Sequence, residues 1–453
     1  MRIILLSGGS GTRLWPLSND SRSKQFLKIL KDDNLNYESM VQRVWRQINK
    51  AGLQNASYIT TSKSQVEMLQ SQIEDCPPLI IEPERKDTFP AIALSVSYLL
   101  SNTNTEEDEI VIVLPVDMYV EDDFFKHIIN LESMMKSKNA AIALLGVTPT
   151  SPAEKYGYIV PLDSWANEGL IEVDHFVEKP LATEAKKLIE KSALWNCGVF
   201  AFNLNYLKGI MEDRDIPGDY DRLLLEYKNQ KKISFDFEVL EKEQTLFVVP
   251  YHGSWKDLGT WDALVEEMDS ELFGNGIITD CSNVNLINEL DLPVVLMGLQ
   301  NVIVAASPDG ILVSEISMTP KLKEALKSSS TRPMYEERRW GWFRVLDYTV
   351  NAKKEEVLTK RICIKKDKNL SYQKHMKRNE TWSIIAGNGE MILDDKLILI
   401  KEGDLVKIYA GQKHSIKANE DLEIIEIQQG ELLEEDVFRD ALIWGDIKKA
   451  ILQ

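Results

Sequence analysis

Apolar runs that stay apolar from end to end, "RIILLSGG", "ASYITTS", "PPLIIEP", "EIVIVLPVD" and "AIALLGV", recur along the chain with amphipathic stretches such as "ESMVQRVWRQINKAG" and "TFPAIALSVSYLLSN" between them. A strand without a polar face must be covered on both sides, and helices with 3.6-residue periodicity are what covers it. The alternation predicts an α/β open sheet that takes ligands at the carboxyl ends of its parallel strands. It persists to about Trp261.

From Gly274 to about Ile316 the texture changes to short hydrophobic dashes, "GIITDCSNVNLIN" and "LPVVLMGLQNVIVAASPDGILVSE", the pattern of short strands without long helices. A charged segment, "MTPKLKEALKSSSTRP", reads as a linker. Beyond it, "KRICIKK", "TWSIIAGNGEMILDDKLILIKEGDLVKIYAG" and "LEIIEIQQG" alternate with turn residues at short intervals, as in a small antiparallel barrel or jelly roll. A chain of 453 residues can carry this division. The expected parts are residues 1–265, an α/β domain; 266–335, a β-rich connector with a linker helix, suited to coils of left-handed β-helix; and 336–453, an all-β barrel.

The formal charge of −18 argues against a nucleic-acid surface and means that an anionic substrate must be held by local cations or metal. The four cysteines (Cys76, Cys197, Cys281, Cys363) are scattered and form no CxxC, as expected of reduced thiols. No apolar run approaches the ~20 residues of a membrane span. The expectation is a cytoplasmic protein with no membrane or nucleic-acid partner, its oligomeric state, homo-oligomer included, left open.

The first strand runs directly into "SGGSGTRLWPLSNDSRSKQF". Glycines at 8, 9 and 11 allow close approach of the backbone to a ligand, and successive N–H groups in such a loop form an anion-binding concavity. Arg13 adds a fork for phosphate oxygens and Lys24 a point charge. A plain tight turn is the alternative. The loop has neither the GK[ST] of a Walker motif nor a good GxGxxG.

"LSGGSGTRLWPLS" followed by "SKQF", "LPVDMYVEDDFF", "YGYI", "FVEKP", "WNCGVFAF", "SFDFEVLEK" and "WKDLGTWDAL", in that order, resembles the sugar-nucleotide pyrophosphorylases, in particular bacterial mannose-1-phosphate guanylyltransferases. The resemblance implies a Rossmann-like nucleotidyltransferase domain with a mixed sheet. It also implies attack of a sugar 1-phosphate oxygen on the α-phosphorus of GTP, giving GDP-mannose and pyrophosphate, a reaction of positioning and charge neutralisation. Gly8, Gly9, Gly11, Thr12 and Arg13 would cradle the triphosphate, with Lys24 near the reacting centre. Asp117 and Asp257 would hold Mg²⁺, which prefers oxygen ligands. Lys179 would take the sugar phosphate, Glu178 and Asn196 sugar hydroxyls, and Gly157 would let the backbone approach the ring. Without the resemblance these residues read as caps, a salt-bridge pair and a turn.

Base selection should lie in "EPERKDTFPAIAL". Guanylyltransferases of this kind usually carry arginine–asparagine–threonine–alanine–proline here, whereas this chain has Lys86, Asp87, Thr88, Phe89 and Pro90. The Asp87 carboxylate could accept from the N1–H and exocyclic amine of guanine, with Thr88 beside it. The alternative is that Asp87 caps the helix beginning at Thr88–Pro90.

Of five histidines, two fall in one pattern. "QKHMKRNETWSIIAG" carries Gln373, His375, Glu380 and Gly387, and "GDLVKIYAGQKH" carries Gly403, Gly411 and His414. These resemble the two cupin motifs, and "RRWGWFRVLD" resembles the entry to the phosphomannose isomerase half of bifunctional enzymes. On a strand, Gln373 and His375 face the same side. With Glu380 and His414 they form a set suited to Zn²⁺ or another divalent transition metal. Relatives usually carry further histidines where this chain has Lys377 and Thr381, and Tyr409 stands where cupins favour proline. The barrel is therefore expected either to interconvert mannose 6-phosphate and fructose 6-phosphate or to serve as a regulatory or oligomerising module.

Overall fold

The computed structural model describes residues 1–9, 13–19, 21–162, 169–268, 270–328, 332–352, 354–432 and 436–452. Its first part is a nine-stranded mixed sheet with the spatial order Leu79–Glu82, Ser57–Ser62, Arg2–Ser7, Ile110–Pro115, Leu194–Asn203, Ile142–Val147, Leu246–Tyr251, Ile171–Val177 and Tyr158–Pro161. The first four strands are parallel. Leu194–Asn203 runs antiparallel to Ile110–Pro115 and Ile142–Val147, and Ile171–Val177 antiparallel to Leu246–Tyr251 and Tyr158–Pro161, which makes the sheet mixed.

The uniformly apolar strands have two cores to fill. Ile3, Leu5, Ile112 and Leu114 pack with the helices Met40–Lys50 and Phe124–Lys138 on one face. Ile4, Val111 and Val113 pack with Thr88–Asn102 and Leu204–Glu212 on the other. Alternate residues of one strand thus serve opposite faces.

Short parallel coils follow. Leu272–Gly274, Ser282–Asn288 and Gln300–Ser307 pair in parallel and are closed by the antiparallel Gly310–Glu315, while Gly276–Thr279 pairs with Val294–Met297. The coils pack against the segment that carries the opening motif. Arg22 donates to both oxygens of Glu289 at 2.8 and 2.9 Å, and Ser307 Oγ donates to the Pro16 carbonyl at 2.6 Å.

The C-terminal part is a six-stranded sheet facing a five-stranded one, antiparallel throughout, around Trp382, Ile384, Met391, Ile416 and Ile424. This cupin-like region is mostly rather than wholly β, because it ends in the helix Trp444–Leu452, whose Trp444 and Ile447 pack on Tyr372 and Ile392. Among the described residues no helix is long and apolar enough to cross a membrane.

Candidate functional site

The parallel strands Arg2–Ser7 and Ile110–Pro115 end side by side, followed by Gly8 and by Asp117. A two-stranded ribbon then brings in a residue from far along the chain. Trp255–Asp257 pairs antiparallel with Met118–Val120, so that Asp257 lies opposite Met118 and next to Asp117. Lys24 opens a short 3₁₀ turn anchored by the buried Gln25 and Phe26. Its ammonium lies 2.8 Å from Asp117 Oδ2 and 3.0 Å from Asp257 Oδ1. Burial works to lower the Lys24 pKa, but the two carboxylates hold it above its ordinary value. Burial works to raise Asp257, but Lys24 holds it below the usual carboxylate range, with Lys155 and Arg13 adding to the effect.

Beside this cluster is a cavity of about 350 Å³ bordered by Gly8, Gly9, Asp87, Thr88, Asp117, Gly157, Glu178 and Asn196. Gln65, fully buried, donates to the Gly9 carbonyl at 3.2 Å and to Ser23 Oγ at 2.9 Å, tying the loop to the turn before Lys24. Gly11 and Thr12 lie outside the described residues; Arg13 is exposed. Lys179 turns its ammonium onto the neighbouring Glu178 and over the Phe237 ring, with its side chain half exposed. A β-carbon at Gly157 would come 2.5 Å from Glu178 Oε2 and 2.6 Å from the Phe176 ring, so this wall tolerates only glycine. The Asp87 carboxylate accepts from the Thr88 N–H at 2.8 Å, capping the helix that starts there.

Two residues of the cavity wall and one beside the Lys24 cluster were not singled out in the sequence. Glu82 ends its strand inside the cavity, 5% exposed, with the Tyr227 hydroxyl donating to it at 3.3 Å. Burial pushes its carboxyl up to about 7, against the pull of Tyr227 and Arg85. Asp236, from "SFDFEVLEK", accepts from Asn196 Nδ2 at 2.7 Å; burial and then Glu178 raise it to about 6. Gly259 lies against the Lys24–Asp257 contact. "EPERK" and "SFDFEV" carried the signal for the two acids, but only burial separates them from surface carboxylates.

In the barrel, Gln373 lies opposite His414 on neighbouring strands, and Gln373 Nε2 is 3.5 Å from His375 Nε2. His375, Glu380 and His414 present ligand atoms within 4.8 Å of one another, all buried. His375 Nδ1 is 3.3 Å from the Asp436 carbonyl, and His414 Nδ1 is 3.2 Å from the Gln412 carbonyl. A carbonyl partner requires Nδ1–H, so each ring keeps its Nε2 lone pair for the cluster. His414 Nε2 is buried without a hydrogen-bond partner, 3.5 Å from Glu380 Oε2. Burial, Arg378 and His414 push His375 down to about 3, holding it neutral. The two imidazole Nε2 atoms and the Glu380 carboxylate form a donor set that fits Zn²⁺ or a similar divalent ion, whereas Gln373 turns its Nε2 toward His375 and its Oε1 accepts from Ser371 Oγ at 2.9 Å. Arg378 contacts His375 Nε2 and Glu380 Oε1, both at 3.1 Å, so a bound ion and this guanidinium would share two ligand atoms.

Lys377 pairs with Glu431 at 3.0 Å on the surface, and Thr381 lies between the inward-facing Glu380 and Trp382, on the opposite strand face. Both departures from the histidine-rich pattern therefore lie off the ligand cluster. Glu426 accepts from Trp382 Nε1 at 3.1 Å, the same N–H that reaches Glu380 at 3.2 Å.

Residues 2–272 match the family model described as nucleotidyl transferase. The chain belongs to that family. Residues 327–440 match a second family model, mannose-6-phosphate isomerase C-terminal, so this nucleotidyltransferase-family enzyme has the organisation of the bifunctional type. The chain is 29% identical over 468 residues to the xanthan biosynthesis protein XanB of Xanthomonas campestris pv. campestris (strain B100), covering 96% of each chain. It is 28% identical to the alginate biosynthesis protein AlgA of Pseudomonas aeruginosa, covering 99% of this chain and 98% of that one. It is also 26% identical to a mannose-1-phosphate guanylyltransferase of Sinorhizobium fredii, over 96% of this chain and 90% of that one. Among solved structures it resembles one named mannose-1-phosphate geranyltransferase from Thermus thermophilus. The identity there is 26% and the TM-score 0.60, over 72% of this chain and 99% of that one.

Proposed function

We propose that this nucleotidyltransferase moves a guanylyl group from GTP to mannose 1-phosphate, releasing pyrophosphate, and that its barrel interconverts mannose 6-phosphate and fructose 6-phosphate. The observation that carries the first activity is the convergence of Asp117 and Asp257 on Lys24, beside Gly8 and Gly9 at the strand ends. Asp117 and Asp257 would hold Mg²⁺, which when bound supplies neutralising charge to the phosphate oxygens. Lys24 holds the two carboxylates in place and offers its ammonium to the α-phosphate. The backbone of the Gly8–Thr12 loop and Arg13 take the remaining phosphates, and Lys179 takes the sugar phosphate by swinging away from Glu178. Gly157 leaves room for the sugar ring, whose hydroxyls meet Glu178 and Asn196.

For base selection we favour Glu82 over Asp87, whose carboxylate is used on Thr88. An ionised Glu82 at the cavity wall could accept both the N1–H and the amine of guanine, a donor pair that adenine and uracil lack. A site built this way rejects the wrong base because its buried acceptor is left unsatisfied. In this reading residues 1–265 are the transferase, 336–453 the isomerase, and 266–335 the connector. Release of pyrophosphate from four triphosphates against several hexose 1-phosphates tests the assignment. Turnover restricted to GTP with mannose 1-phosphate is expected, and equal turnover of all four triphosphates overturns it. The barrel's departures at Lys377 and Thr381 spare the ligand cluster, which favours an active isomerase over a regulatory module. Failure to interconvert the hexose 6-phosphates with Zn²⁺, Co²⁺ or Mn²⁺ overturns that half. Four free thiols accord with a cytoplasmic location.

A further inference from the structure

The wall of the first domain's cavity carries the carboxylates Glu82, Asp87, Asp117, Glu178 and Asp236, and among the described residues its cations are Arg85 and Lys155 alone. An anionic reactant entering there needs a cation where its own charge comes to rest. Arg85 acts on Glu82, drawing it toward ionisation against the effect of burial. Lys155 stands two residues before Gly157, and its turn is pinned on both sides. The Tyr158 hydroxyl donates to the Ala153 carbonyl at 3.0 Å, and the Ala182 N–H donates to Glu154 Oε1 at 2.7 Å. The Asn196 N–H donates to the Gly157 carbonyl at 2.8 Å. The Lys155 side chain is exposed, and among the described residues it makes no ion pair and no hydrogen bond. Its ammonium lies 5.0 Å from the centre of the Tyr156 ring. That ring packs edge-on against Trp255, 5.3 Å away, and Trp255 opens the ribbon strand that ends at Asp257.

The Lys155 charge is felt at the reacting centre. Burial works to raise Asp257, and against it Lys24 acts most strongly, then Lys155 and then Arg13. The other lysines near the site are already engaged. Lys24 is paired with Asp117 and Asp257, and Lys179 with Glu178. Lys155 has only a ring face to give up, a weak contact at an exposed site. We propose that Lys155 binds the 1-phosphate of the hexose phosphate and holds it between the sugar pocket at Gly157 and the Lys24–Asp117–Asp257 cluster. This rests on the transferase reading and deepens it. A sugar-phosphate oxygen forms its bond to the α-phosphorus as the bond from that phosphorus to the pyrophosphate oxygen breaks. Lys155 keeps its proton throughout and fixes the direction of attack. Lys179 reaches the same phosphate only after leaving Glu178, whereas Lys155 is in place beforehand.

The test follows pyrophosphate release by the full chain in Mg²⁺, with GTP and mannose 1-phosphate each varied, for the wild type, Lys155→Ala and Lys155→Arg. A charge-assisted hydrogen bond lost from a phosphate weakens binding by about 10- to 100-fold. That rise is expected in KM for mannose 1-phosphate in Lys155→Ala, with KM for GTP unchanged and kcat altered far less. Lys155→Arg should recover part of the loss. In the reverse reaction Lys155→Ala should raise KM for GDP-mannose and leave KM for pyrophosphate as it was. A wild-type KM for mannose 1-phosphate in Lys155→Ala overturns the assignment. So does a rise confined to GTP and pyrophosphate, which would put Lys155 on the leaving group, and so does a fall in kcat alone. If the wild type accepts a different hexose 1-phosphate, the sugar assignment fails by itself and KM is read with the sugar accepted. A wild type inactive with every hexose 1-phosphate overturns the transferase reading and this one with it.

Discussion

A β-carbon on Gly259 would come 2.7 Å from the Lys24 ammonium nitrogen and 2.7 Å from Asp257 Oδ1. The glycine of "WKDLG" thus sets how closely the lysine and the distant acid can approach. Gly259→Ala should displace both groups by a fraction of an ångström to an ångström. Misplacement on that scale costs about 100-fold in turnover. The expected result is that loss in a pyrophosphate-release assay, with a thermal midpoint close to that of the wild type.

Lys24 lies between two carboxylates and separates them. In Lys24→Met, Asp117 and Asp257 face each other without a cation. Turnover should fall by about 100- to 1000-fold, the cost of removing one preorganised charge. Thermal unfolding followed in EDTA and in Mg²⁺ should show the variant destabilised in chelator and rescued by the metal, to a greater extent than the wild type. A variant indifferent to Mg²⁺ would count against these two acids as its ligands.

Glu82 predicts a pH dependence. With its carboxyl raised to about 7, the free enzyme carries it protonated below that value and ionised above. A guanine edge offers donors, so kcat/KM for GTP should rise with pH through about 7 and level off, the slope below approaching tenfold per pH unit. Glu82→Gln should flatten the profile and relax discrimination against other bases.

Stability should show the same group from the opposite side. Because the folded pKa lies above the unfolded value, the folded state binds the proton more tightly. The contribution is complete below about 4.5 and lost as pH rises through about 7. At pH 8 the buried anion costs up to about 3 kcal/mol. Glu82→Gln is therefore expected to raise the melting temperature at pH 8 and to leave it nearly unchanged at pH 4.5, which differential scanning calorimetry can check.

In the barrel, Zn²⁺ measured by atomic emission should reach about one ion per chain. Glu380→Gln and His414→Ala should each abolish it, while nucleotidyl transfer continues in both variants. Zinc retained at full occupancy in both would remove the ligand assignment.

The sequence made the main architecture visible because a strand buried on both faces cannot hide its composition: Ile3, Ile4 and Leu5 leave no polar side. The reversal of Leu194–Asn203 within the sheet is written in no local pattern, since an antiparallel strand with both faces covered looks like a parallel one. Lys24 was legible as a cation beside the glycine loop, but Asp117 and Asp257 only through motif resemblance. No spacing rule joins residue 24 to 257, and the ribbon pairing that does so is a tertiary fact. Glu82 was invisible for a related reason. Its chemistry depends on the loss of water around it, and a lone glutamate before a proline carries no mark of burial. Asp87, prominent in the sequence because it departs from a pattern, has its carboxylate bound to the backbone. In the barrel the reverse held. Lys377 and Thr381 looked like damage to a ligand set, but Lys377 lies in the exposed bend before its strand, paired with Glu431, and strand alternation turns Thr381 away.

The ribbon of Trp255–Asp257 on Met118–Val120 also sets where the chain could be cut. Asp257 follows Leu246–Tyr251, the last strand of the nine-stranded sheet in chain order, so a fragment ending before residue 255 would carry every strand of that sheet and lack the second acid.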